Sequence, residues 1–292
     1  MKNLFSGTLM KNVNSNLNRR ILLFLILAII LAIKLTPLES LSNLSLEYLT
    51  FNGAYPWAVL FLCIVFLIAK RHENPISETS VIFITYGIVI VILAFFLPAV
   101  DPEFIVFRLL LAGVGLAFIF FGKAAIIPTI LLCIYGFGIS FPKLMDIYAG
   151  VIAARYTAWV AYQIGHIFLP ISSGDSSIFI LAPTGENVVL LINAACSGAA
   201  SMSVFLVIFM LMSLDMPLPR REWVYMLIFG IMGTVAQNIV RIVVLLFAGY
   251  YFGPSALKDG ESIAGYIIFP LWYIMFAFVY MKYVSIGLSH KK

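Results

Sequence analysis

Two side chains in an otherwise apolar chain have the chemistry for nucleophilic catalysis. Cys196 lies in the run Asn193-Ala194-Ala195-Cys196-Ser197-Gly198-Ala199-Ala200-Ser201, and Arg241 lies in Asn238-Ile239-Val240-Arg241. The thiolate, not the thiol, is the nucleophile, and a permanent positive charge nearby favours it. The small residues around Cys196 let another backbone approach closely and leave the sulfur accessible to a peptide. Where Cys196 begins a helix, the N-terminal dipole favours the thiolate as well. Asn238, three residues before Arg241, shares its helical face and is placed to hold the guanidinium or donate to an oxyanion. Asn193, Ser197 and Gly198 are read as supporting residues beside the sulfur. Taken alone, a membrane cysteine among alanines is more often packing, whereas an arginine within a membrane helix more often has a function. The case rests on the pair.

The elements that position the pair are membrane helices. Of 292 residues, 63% are hydrophobic and 11% charged, and the mean hydropathy is +1.07. A soluble domain carries roughly 25% charged residues. Apolar runs fall at about 21–37, 55–69, 80–99, 104–121, 124–141, 198–214, 223–247 and 265–286. Each is long enough to span a bilayer, or nearly so with tilt. The expected fold is therefore an all-α integral membrane protein of about eight transmembrane helices. One polytopic domain over 1–292 is expected: five spans in 1–141, an outer segment in 142–196 and a three-span region in 197–286. Cys196 opens the sixth run and Arg241 lies about two-thirds along the seventh. Consecutive helices joined by a short loop are usually neighbours, so the thiol and the guanidinium are expected at one depth.

Orientation follows from basic residues, which favour the cytoplasmic side. With the N-terminus inside, 12 of the 18 Lys and Arg residues fall on the inner side. Both termini are then cytoplasmic, and the Cys196 end of the sixth span faces out. Arg19-Arg20 before an apolar run resembles a signal peptide, but no small-x-small site follows, so a retained first helix is expected. In the outer segment, 147–170 is amphipathic and aromatic, with Tyr148, Arg155, Tyr156, Trp159, Tyr162 and His166. That composition predicts a helix lying on or dipping into the outer leaflet. Ile178–Leu181, the turn 182–187 and 188–193 predict a short β-hairpin running into Cys196.

The same reading limits function. The basic residues sit beside apolar runs as topology signals rather than in a patch, so no nucleic-acid partner is expected. Three cysteines spread along the chain do not make a disulfide framework. His72, His166 and His290 fall far apart on different sides of the membrane, so no metal site and no cofactor are expected.

The NAACSG pattern at one span start, the NIVR motif in the next, and a glycine at the outer start of the last resemble the exosortase/archaeosortase family. The resemblance covers roughly 145–286, and an archaeal member is expected. It implies a membrane cysteine protease or transpeptidase, a counterpart of sortases, with Cys196 and Arg241 as catalytic residues. It also implies partners: exported proteins carrying a C-terminal transmembrane sorting signal, a lipid or other acceptor, and the surrounding membrane lipids. Many members carry a third polar residue, commonly His, about four residues before a glycine; counting back from Gly265 places Glu261 there. Glu261 can protonate a leaving amine only if burial raises its pKa. His166 is a rival acid/base, and Arg155 a candidate interface residue for phosphate. Two other classes remain open: a transporter or channel with an intramembrane arginine, and a non-catalytic membrane assembly factor.

Overall fold

Backbone N–H and C=O groups inside a bilayer find no water, so apolar runs bury their polar backbone in helices. The computed structural model describes residues 21–31, 33–35, 59, 61–66, 80–97, 102–183, 185–192 and 194–289. Its helices are α1 (Val81–Phe96), α2 (Pro102–Phe121), α3 (Ile126–Gly165), α4 (Ala199–Asp215), α5 (Arg220–Phe252) and α6 (Pro254–Ser289), with further helical residues at 21–31 and 33–35. Among the described residues, three stretches are long and apolar enough to cross a membrane: Phe107–Gly165, Arg220–Phe252 and Ala264–Ser285. Shorter apolar helices lie at Ile21–Leu35, Val81–Phe96 and Ala199–Asp215. The chain is a multi-pass membrane protein; eight crossings remain an expectation, and the run at 55–69 lies mostly outside the described residues.

In the middle of the chain one expectation is corrected, and the expected hairpin is present as Ser177–Leu181 paired with Asn187–Leu191. The amphipathic segment is not a helix of its own but the second half of α3, which runs unbroken through Pro142 over 40 residues. At 1.5 Å per residue such a helix is about 60 Å long, roughly twice the hydrocarbon thickness. The aromatic half therefore continues the fifth apolar run rather than folding beside it. The hairpin is also part of a larger unit. Strands β1 (Ile171–Ser173), β2 (Ser177–Leu181) and β3 (Asn187–Leu191) form an antiparallel sheet in the order β1-β2-β3. Its register pairs Phe179 with Val189 and Ile180 with both Val188 and Ile171.

The chain divides into two compact units, Met1–Phe137 and Gly138–Lys292. In the first, α1 and α2 pack closely. A Cβ on Gly87 would lie 2.5 Å from the Gly115 carbonyl, and one on Gly115 would lie 2.7 Å from the Gly87 carbonyl. Small residues at such crossings let membrane helices touch backbone to backbone. Buried Arg108 donates from Nε to the Ala94 carbonyl at 3.0 Å, so its charge meets a helix carbonyl rather than lipid.

The second unit holds both site residues. One face of the sheet buries Ile178, Ile180, Val188, Leu190 and Ile192 against Ala154, Ala158 and Ala161 of α3 and Ile242, Leu245 and Leu246 of α5. The alanines recur at helical spacing, giving the sheet a smooth surface to lie on. Away from the sheet, Phe205 and Phe209 of α4, Met226 of α5, and Trp272, Phe276 and Tyr280 of α6 form an aromatic core. The edge-to-face pair Phe205–Phe276, with centroids 5.0 Å apart, joins α4 to α6.

Candidate functional site

The site is assembled where β3 ends and α4 begins. Residues Ala194–Ser197 form a 3₁₀ turn carrying Cys196, and Gly198 follows at φ 90° as the cap of α4. A left-handed residue costs an L side chain about 1–2 kcal/mol, which explains glycine here. Space demands glycine as well, because a Cβ would lie 2.9 Å from both Cγ and Nδ2 of Asn238. Ser201 Oγ, one turn on, donates to the Gly198 carbonyl at 2.8 Å.

Helix α5 fastens this turn. Asn238 is 2% exposed and donates from Nδ2 to the Cys196 carbonyl at 3.0 Å. An amide-to-carbonyl bond away from water is strong, and its loss strands a polar group. Asn238 thus holds the main chain of the cysteine rather than the guanidinium. Arg241 lies on the same face of α5 and is 8% exposed. Its Cζ sits 5.5 Å from the centroid of the Phe269 ring on α6, within cation–π range. A Cβ on Gly265 would make only ordinary contact with Arg241 Nε, at 3.9 Å, which places the glycine beside the guanidinium.

The face continues away from Cys196. Thr234, Gln237, Asn238 and Arg241 are all buried on α5, at the i, i+3, i+4, i+7 spacing of one helical stripe. Thr234 Oγ1 donates to the Gly230 carbonyl at 2.8 Å and accepts from Trp272 Nε1 at 3.1 Å. Tyr273 donates its hydroxyl to the Ser201 carbonyl at 2.8 Å, tying α6 to α4. Gln237 sits beside that hydroxyl but outside hydrogen-bond geometry. Asn238 and Arg241 were found from the sequence but Thr234 and Gln237 were missed, although their spacing from Asn238 and Arg241 puts all four on one helical face.

The other sequence candidates fall as follows. Cys196, Ser197 and Gly198 share the turn, with Ser197 half-buried. Cys196 is 6% exposed and packs into the cluster beneath the sheet, so its small neighbours do not leave it open to an approaching peptide as expected. Asn193 lies outside the described residues. Glu261 lies in α6, four residues before Gly265; its side chain is outside the described set. His166 is exposed at the end of α3, stacked on Tyr162 with centroids 5.1 Å apart and bonded through Nδ1 to the Tyr162 carbonyl. Arg155 pairs with Asp175 at 2.7 Å, and both are exposed.

A multi-pass membrane protein is defined here, with a buried cysteine turn strapped to a polar stripe that carries an arginine. Residues 50–278 match the family described as Transmembrane exosortase (Exosortase_EpsH), and the chain belongs to that family. The match covers all the site residues. No curated protein and no solved structure matches the chain.

Proposed function

We propose that this protein is a membrane cysteine transpeptidase that cleaves C-terminal sorting signals from exported proteins and passes them to a lipid or other acceptor. Membership of the exosortase family supports the general activity. The observation that carries the site is the Asn238–Cys196 bond, with Arg241 one helical turn further along the same face.

In this reading the Cys196 thiolate attacks the scissile carbonyl and forms a thioester, while the C–N bond breaks and the amine leaves with a proton. Arg241 stabilises charge on sulfur or on the oxyanion. Asn238 keeps the Cys196 turn in register. Glu261 is the proposed proton donor to the amine. An acceptor nucleophile then attacks the thioester and releases the thiolate; water gives simple proteolysis. Because Cys196 is buried, a substrate must open the turn's surroundings before attack. The termini are placed in the cytoplasm and the site on the outer side, following the basic-residue bias.

Cys196→Ala and Arg241→Ala are each expected to insert normally while exported substrates keep their C-terminal tails, read by mass spectrometry of surface proteins. Recovery of a covalent Cys196–peptide adduct identifies nucleophile and substrate together. Normal processing in Cys196→Ala cells removes the proposal.

A further inference from the structure

Among the described residues one edge of β3 has no partner strand, and that edge leads into the Cys196 turn. Ile192 N donates to the Ser176 carbonyl at 2.8 Å and Ala182 N to the Glu186 carbonyl at 3.0 Å. In an antiparallel ladder, hydrogen-bonded and non-bonded pairs alternate. With Ile178 opposite Leu190 and Ile180 opposite Val188, those two pairs carry the ladder bonds. Asn187, Val189 and Leu191 therefore direct their N–H and C=O groups away from β2. Among the described residues no main-chain group bonds to this edge.

The edge forms one wall of a groove of about 330 Å³, lined by Asn187–Leu191 together with Leu245 of α5 and Pro254 and Leu257 of α6. Donors and acceptors alternating along an extended strand are matched by another extended chain, which is why open edges recruit strands. Cys196 follows Leu191 by five residues, a reach of at most about 17 Å. A chain seated along the groove thus presents a nearby bond to the turn that holds the sulfur. A scissile carbonyl inside a helix is shielded and bonded, so a substrate must be extended where it is cut.

We infer that the outer edge of β3 is the substrate-binding edge: the polypeptide flanking the scissile bond adds to the sheet as a fourth strand beside Asn187, Val189 and Leu191. This rests on the cysteine transpeptidase reading above. The recognition is through main chain, so it tolerates varied side chains, and Leu245, Pro254 and Leu257 supply an apolar wall.

Val189→Pro tests it, because proline removes the outward N–H while leaving both neighbouring ladder pairs intact. Val189→Ala trims the side chain but keeps the N–H. Both are expressed in host cells beside Cys196→Ala, and C-terminal peptides of surface proteins are measured by mass spectrometry. The expected result is processing slowed about tenfold in Val189→Pro and a clearly smaller loss in Val189→Ala, which trims the groove wall but keeps the N–H; one lost hydrogen bond of up to about 1.5 kcal/mol is sufficient for the difference. Wild-type processing in Val189→Pro overturns the inference, as does equal loss in Val189→Ala. If Val189→Pro does not accumulate in membranes, Leu257→Trp, which fills the groove from its other wall, decides: slowed processing supports the edge and normal processing overturns it. Retained tails in Cys196→Ala alone leave the enzyme reading intact while the edge falls; normal processing in Cys196→Ala removes both.

Discussion

Asn238 on α5 donates its side-chain amide to the main-chain carbonyl of Cys196 at 3.0 Å, across 42 residues of sequence. This bond ties the turn before the sixth apolar run to the seventh, and Cys196 packs in the same cluster as Ile242, Leu245 and Leu246 of α5. Asn238→Leu removes the donor and leaves a buried carbonyl without it, at about 1–3 kcal/mol. Asn238→Asp places an acceptor against an acceptor and buries a charge. The expected order of processing is wild type above Asn238→Leu above Asn238→Asp, with the leucine variant lowered about tenfold or more. Quantifying retained C-terminal tails in cells of matched membrane content checks the order; an aspartate variant as active as wild type contradicts it.

Gly198 meets two demands at once, a φ of 90° and the nearness of Asn238. Gly198→Ala is expected to destabilise the detergent-solubilised protein by about 1–2 kcal/mol for the left-handed backbone, plus the displacement of Asn238. The two contributions separate in a double-mutant cycle. Asn238→Ala makes room, so Gly198→Ala costs less in that background than in wild type. Thermal unfolding of the four proteins measures the difference, and strict additivity shows that the steric contact does not matter.

How much of this was legible in the sequence depends on the scale of the signal. Apolar runs at 80–99, 104–121, 198–214, 223–247 and 265–286 overlap helices, because a bilayer enforces backbone satisfaction whatever the side chains. The continuity of α3 was not legible: Pro142 with Lys143 reads as a break, although membrane proteins tolerate proline within helices. Strand β1 is three residues of Ile-Ser-Ser, too short and polar to show alternation. At the site, residue types pointed to Cys196, Asn238 and Arg241. Nothing in the sequence distinguishes an asparagine that holds a guanidinium from one that holds a carbonyl on another helix. The burial of Cys196 was equally hidden, because it comes from the sheet and α3 packing over the turn.

The Thr234–Trp272 bond offers a test of the stripe independent of turnover. Thr234→Val keeps the volume and removes the acceptor for the indole N–H, now at 3.1 Å. A buried donor left unpaired costs about 1–3 kcal/mol. Trp272→Phe alone leaves a cavity beside the aromatic core and is destabilising by packing. In the Trp272→Phe background Thr234→Val is expected to be close to neutral, because no indole remains to be stranded. Thermal unfolding of wild type, both single variants and the double variant gives the coupling; its absence places the Trp272 indole elsewhere.

The last prediction concerns why the stripe ends in arginine and not lysine. The Arg241 guanidinium lies over the Phe269 ring with its Cζ 5.5 Å from the centroid. A planar, weakly hydrated cation suits this slot, whereas an ammonium is compact and holds its water more strongly. Arg241→Lys preserves charge but loses the stacking and the fork of donors, so processing is expected to fall about 10–100-fold, between wild type and an inactive Arg241→Met. Phe269→Leu keeps the guanidinium and removes the ring, which is worth about 0.5–2 kcal/mol, so a loss of about 2–30-fold is expected. Combining Phe269→Leu with Arg241→Lys adds little, because the lysine has already given up the ring. The decisive comparison is therefore the ratio of processing rates with and without the ring in the arginine and lysine backgrounds. A ratio that is the same in both backgrounds means that Phe269 supports the fold and not the cation.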